Sequence, residues 1–126
     1  MAFADDFGDK IHRAYFRKLE SIQNRTPDGI SGSTYRNCQS AWAIATAVKM
    51  IVKDGVKNHL SDLEITNNII FELLNKKYFV YENTEMSVIT GYIYLHSKGI
   101  QIQNYTFGNI TENSSLEDIR QLTAAW

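Results

Sequence analysis

No stretch of this 126-residue chain comes near the roughly 20 consecutive apolar residues that a membrane-spanning helix needs. Cysteine is almost absent. Cys38 stands alone, so no internal disulfide framework can form. A single thiol points to a reducing compartment, with the cytoplasm as the expected location. Nothing close to Cys38 in sequence would depress its pKa, so it is expected to be a small hydrophobe at a helix start, not a nucleophile. The formal net charge of −1 lacks the cationic excess that draws proteins to nucleic acid or anionic membranes, so neither partner is expected. The only histidines, His12, His59 and His96, are too dispersed for an HxxxH or HExxH zinc site. GxxxxGK[ST], GxGxxG and GxSxG are missing too, and no metal or cofactor is expected. The opening MAFADDFGDK is acidic and lacks a long apolar core, unlike a secretory signal or a transit peptide.

Hydrophobic residues make up 44% of the chain, normal for a globular protein. The length suits one domain over 1–126, large enough to bury about two-thirds of the surface its unfolded chain exposes. Ile11, Tyr15, Leu19 and Ile22 recur at helical spacing and predict a first helix over 7–23, with Arg13, Arg17 and Lys18 on its wetter side. Pro27-Asp28-Gly29 marks a turn. Ala41, Ile44, Ala45, Val48, Ile51 and Val52 form one stripe of a helix over 35–54, which Gly55 is expected to stop. Ser61-Asp62-Leu63-Glu64 has the form of a capping box, so a helix carrying Ile65, Ile69, Ile70, Leu73 and Leu74 begins just after Ser61.

The spacing of Val88, Ile89, Tyr92, Ile93 and Leu95 predicts another helix over 85–98, with His96 in its last turn and Gly99 as its stop. Ile100-Gln101-Ile102-Gln103 alternates as a half-buried strand does, and Ser115-Leu116-Glu117-Asp118 caps a short last helix. The expected fold is mainly α, a compact helical domain with at most a small β-hairpin.

The loop between the third and fourth of these helices carries the most information. Lys77-Tyr78-Phe79-Val80-Tyr81-Glu82-Asn83-Thr84-Glu85 aligns without a gap to the signature H-x-F-x-[DN]-[AG]-N-K-R of Fic/Doc (death-on-curing) proteins. Gly99-Ile100-Gln101-Ile102 falls where Doc-like members end the following helix and begin a short strand. The turn over 27–33 and the capped segment over 109–122 are similar as well, so the chain resembles a Doc-like domain over most of its length.

In that family the histidine is a general base, the acidic or amide residue holds a phosphate-bound metal, and the small residue lets the backbone approach the phosphates. The last two cations engage phosphate charge. This chain keeps Phe79, an apolar plug, and Asn83, expected to cap the following helix. The base position is Lys77, the metal-ligand position Tyr81, the small-residue position Glu82, and the cationic pair Thr84 and Glu85. Two cations are lost and two carboxylates gained, which reverses the sign of the field a nucleotide would meet.

The resemblance therefore implies a degenerate motif with no catalytic residue, in a protein that binds another protein in a toxin–antitoxin, phage or mobile-element setting. Tyr78, Tyr81 and Tyr94, with Glu82 and Glu85, are the candidate contact residues for a basic partner. A plainer alternative places Phe79 and Tyr92 in the core and leaves the other tyrosines as amphipathic surface. Two functional rivals stand beside partner binding. One is a divergent nucleotide-dependent transferase, of AMPylation or phosphorylation type, recruiting Lys77, Asn83, Glu82 or Glu85; the other is a nucleotide or small-ligand binder without turnover. Partner identity, homo-oligomer formation and the placement of Trp126 are left open.

Overall fold

The computed structural model describes residues 9–11, 13–14, 17, 41–79 and 82–126, without the side chains of Ala41 and Trp42. Expectations for Cys38, the Pro27 turn, Tyr81 and most of the first helix lie outside the described residues. The fold is mainly helical. Asp9, Lys10, Ile11, Arg13, Ala14 and Arg17 are helical, with Ile11 buried and both arginines exposed. Four helices follow: α1 (Ala41–Lys57), α2 (Asp62–Asn75), α3 (Asn83–Ser97) and α4 (Leu116–Ala124). Among the described residues no helix is long and apolar enough to cross a membrane.

The isoleucine and leucine spacing of α2 explains why it sits at the centre. Ile65, Ile69 and Leu73, each four apart, join Ile11, Ile44, Val48, Phe79, Met86 and Tyr94 in one core cluster. Ile70 and Leu74 point the other way, into a second cluster with Val88, Ile119 and Leu122. Each such side chain, fully buried, contributes about 1.5–3 kcal/mol. α3 runs beside α2 and feeds both clusters, through Met86 and Tyr94 on one side and Val88 on the other.

Three helix ends share one device. After α1, α2 and α3 the chain turns into the left-handed region at His59 (φ 59°), Lys77 (φ 54°) and Gly99 (φ 79°). The following N–H reaches back five residues: Leu60 to Gly55 (2.8 Å), Tyr78 to Leu73 (3.2 Å) and Ile100 to Leu95 (3.2 Å). These are Schellman closures. Gly99 ends its helix as expected, at no steric cost.

Gly55 does not end α1, which continues to Lys57. It is buried instead, and a β-carbon placed on it would overlap the Ile65 side chain. The glycine is there to let α1 approach α2. The strand expected at Ile100-Gln101-Ile102-Gln103 is also not formed; the segment is irregular. The N–H of Ile100 is taken up by the helix closure, Ile100 is 38% exposed, and a strand needs a paired neighbour.

Both capping expectations locate helix starts correctly, with different chemistry. Ser115 and Asp118 form a complete reciprocal box. Ser61 accepts from the Glu64 N–H (3.1 Å), but the Glu64 carboxylate turns away to Arg120 (2.7 Å) and to the buried Asn67 amide (3.2 Å). Asn67 in turn accepts from the Thr123 hydroxyl (2.6 Å), so α4 is fastened to α2 by a polar chain beside the second core cluster.

Arg120 first, and Asn67 after it, hold the Glu64 carboxyl below its ordinary range despite partial burial. A depressed folded-state pKa adds stability that is complete above the unfolded value and disappears as pH falls through the lower folded one. Glu64→Gln is therefore expected to lower the melting temperature by a constant amount above about pH 5.5, with the gap closing below about pH 4.3. A gap that persists undiminished to about pH 2.5 would show that the Arg120 pair contributes nothing.

Candidate functional site

The chain leaves α2 through the closure at Lys77, and α3 begins at Asn83. Lys77 occupies the left-handed position, so its side chain is thrown outward. It is 67% exposed, with Nζ 3.7 Å from Glu112. An ion pair this exposed contributes little. Tyr78 is half-buried against the first core cluster, and desolvation raises its hydroxyl pKa, with the Glu72 charge adding to the effect. Phe79 is 1% exposed and fills the core as expected.

Asn83 departs from expectation. It does not cap α3; it is the first helical residue, while Glu82 takes the cap position at φ 56° with no side-chain cap bond. The Asn83 side chain is buried and triply engaged. Its Oδ1 accepts from the Phe79 N–H (3.1 Å), and its Nδ2 donates to the Leu74 carbonyl (3.1 Å) and the Glu112 carboxylate (2.9 Å). This one amide ties the end of α2, the loop, the start of α3 and the 99–115 connection together. Glu112, 29 residues from Asn83, had no signal in the sequence.

Glu82 is exposed and Glu85 half-exposed, with Thr84 between them also half-buried. Glu82 and Glu85 flank Asn83 at the start of α3 and Glu112 reaches Lys77; the described cations there are Lys77 and Lys76, the latter paired with Glu72 (3.0 Å). Tyr81 lies outside the described residues.

Tyr94, expected at the contact surface, is instead a core residue at 1% exposure. Eight positions after Met86, it returns to the same side of α3 and enters the same cluster. Desolvation pushes its hydroxyl up to about 12, with the Asp62 charge adding, and the oxygen has no hydrogen-bond partner among the described residues. Removing an unpartnered buried hydroxyl relieves a desolvation cost. Tyr94→Phe is therefore expected to keep or raise stability, by up to about 1 kcal/mol in urea unfolding. A loss larger than about 1 kcal/mol would mean the hydroxyl is hydrogen-bonded in the folded protein.

Aromatic residues do reach the surface, on the other side of α3. Tyr92 is half-buried rather than core, stacks on the exposed His96 (6.2 Å, 18°), and meets Tyr105 and Trp126. Trp126 docks back on the body, its Nε1 donating to the Thr106 carbonyl at 2.7 Å. Tyr105 and Trp126 are 13 and 34 positions beyond Tyr92, and no periodicity could have brought them together.

Cavities open elsewhere among the described residues. One of about 390 Å³ is lined by Gly108, Asn109, Ile110, Ser114, Asp118, Gln121 and Leu122. Another, of about 300 Å³, lies between α1 and α2, with Ile51, Leu60 and Phe71 among its lining residues. No described residue of 76–85 lines either. Among the described residues, no cluster of His, Cys, Asp or Glu could hold a metal ion. No protein-family model matches the sequence, and no curated protein or solved structure is detectably similar to the chain.

Proposed function

We propose that the chain is a cytoplasmic, catalytically degenerate Doc-like domain that acts by binding a protein partner through the surface around its 77–85 loop. The observation that carries this is the state of Asn83. The one polar residue kept from the signature is buried, and its amide is engaged by Phe79, Leu74 and Glu112. The base position, Lys77, is exposed and sits beside a carboxylate. Three carboxylates at such a loop repel a triphosphate and attract a basic protein.

Two features support the Doc-like alignment itself. The chain leaves the preceding helix at 76–79, and α3, from Asn83 to Ser97, is buried on several sides. At the signature's small-residue position, Glu82, the backbone is left-handed, a conformation that glycine adopts most readily.

The test has two arms. ATP and GTP, with and without magnesium, are expected to leave the melting temperature unchanged, since a ligand selective for the folded state must raise it. A partner captured from the native host by the wild-type chain is expected to be lost by the Glu82→Lys/Glu85→Lys variant. A magnesium-dependent rise with either nucleotide would transfer the assignment to a transferase or ligand-binding domain. Undiminished capture by the double variant would remove the loop from the interface.

A further inference from the structure

The near-neutral net charge conceals two poles. Residues 1–57 hold nine Lys and Arg against six Asp and Glu, while residues 58–126 hold four against eight. Part of the cationic excess is gathered on α1. Lys49, Lys53 and Lys57 recur every four residues, so they stack in one row along the helix, and all three are exposed. Met50, three before Lys53 and seven before Lys57, lies along one side of the row at 56% exposure. Val56, three after Lys53 and seven after Lys49, lies along the other side at 64%. Asp54 is exposed at the edge that meets the cavity beside α2. The opposite side of α1 is turned into the core through Ile44 and Val48.

This face works against the helix in two ways. Like charges four apart on a helix repel, and the row holds two such pairs in succession. None of its lysines forms an ion pair among the described residues. The helix dipole accounts for Lys57, in the last turn, but its effect does not reach Lys49 or Lys53. Met50 and Val56 also leave apolar surface in water. We propose that the outer face of α1 docks an acidic protein segment, whose carboxylates neutralise the lysine row while its apolar side chains cover Met50 and Val56. An acidic protein fits better than the other anionic surfaces. The phosphates of a nucleic acid would leave both apolar residues in water. A bilayer surface favours a broad apolar face, and here that face belongs to the core while Asp54 shares the outer side. The row shares no residue with the 77–85 loop and calls for a partner of the opposite charge. It is a second surface, independent of the reading above.

The test uses the full chain, ¹⁵N-labelled, titrated at low salt with the peptide acetyl-Gly-Glu-Leu-Glu-Glu-Leu-Glu-Gly-amide. Counterparts carry glutamine in place of glutamate, or serine in place of leucine. The acidic peptide is expected to shift the amides of Lys49, Met50, Lys53, Val56 and Lys57 saturably. Its affinity should fall at least about ten-fold once salt screens the exposed charges. The glutamine peptide should produce no saturable shift, and the serine peptide should bind several-fold more weakly. Lys49→Gln/Lys53→Gln/Lys57→Gln should lose at least about ten-fold in affinity, and Met50→Ser/Val56→Ser several-fold. All five side chains are exposed, and an unchanged amide spectrum elsewhere checks the fold of each variant. No saturable shift, equal binding of the glutamine or the serine peptide, or full binding by the folded triple-lysine variant would overturn the proposal. Tighter binding to phosphatidylcholine vesicles containing phosphatidylserine, or to oligothymidylate, than to the peptide would also overturn it, if lost in the triple-lysine variant. The face would then belong to a membrane or a nucleic acid.

Discussion

Gly91→Ala is expected to destabilise the protein by about 2 kcal/mol, although alanine is the better helix former by about 1 kcal/mol. Gly91 lies in the middle of α3, where glycine costs backbone entropy, so its presence needs a packing reason. A β-carbon there would sit 2.6 Å from Ile70 Cδ1 and 3.0 Å from Thr66 Cγ2, and both residues are fully buried. Neither can swing into solvent, so α3 would have to move away from α2. These two helices pack against each other along much of their length, and separation would loosen both core clusters together. Urea unfolding measures the loss. Ile70→Ala in the same chain removes the obstructing atoms, and the double variant should be less destabilised than the sum of the singles by about 1–2 kcal/mol. Additive losses, or a Gly91→Ala variant as stable as wild type, would show that the helices have room to spare.

Asn83→Asp should cost about 3 kcal/mol or more at neutral pH, for a change of one amide to a carboxylate. The Phe79 N–H keeps an acceptor. The other oxygen, however, would replace an N–H₂ that now donates to the Leu74 carbonyl and the Glu112 carboxylate. An acceptor would face two acceptors, one of them charged, in a site only 6% exposed. Burial and the like charge would raise the new carboxyl above its unfolded pKa, near 3.9 for aspartate. The penalty is then complete above the raised folded value and fades as acid protonates the group, which restores a donor. Asn83→Ala should cost about 2–3 kcal/mol, with little of that pH dependence from the new side chain. Hydrogen exchange at the Phe79 amide should accelerate in Asn83→Ala, which leaves that N–H without its acceptor. An Asn83→Asp variant as stable as wild type would mean that the amide is not the fastening it is taken to be. It would also reopen a role for position 83 in holding a metal or a phosphate.

The candidate site was half legible. The break between α2 and α3 and the burial of Phe79 were legible because both follow from residues within the segment. The assignment of Tyr94 to the surface failed because α3 is not a surface helix. Ser87, Thr90 and Gly91 are buried on it along with its apolar residues, and a helix packed on several sides has no single stripe to read. Asn83 was mistaken for a cap for a related reason. Its partners Leu74 and Glu112 lie on other elements, so the sequence around it resembled an ordinary helix start.

Spacing and capping chemistry by themselves determined that this chain is mainly helical, where α2 and α4 begin, and that α3 stops at Gly99, because each of those depends on residues within about one helical turn. Packing across the chain decided the rest. It converted Gly55 and Gly91 into sites of helix contact, left Ile100 without a strand to pair with, turned Asn83 toward Glu112, and set Tyr105 against Tyr92 and Trp126. Those outcomes depend on which atoms meet over tens of residues, and no periodicity within a single segment records that.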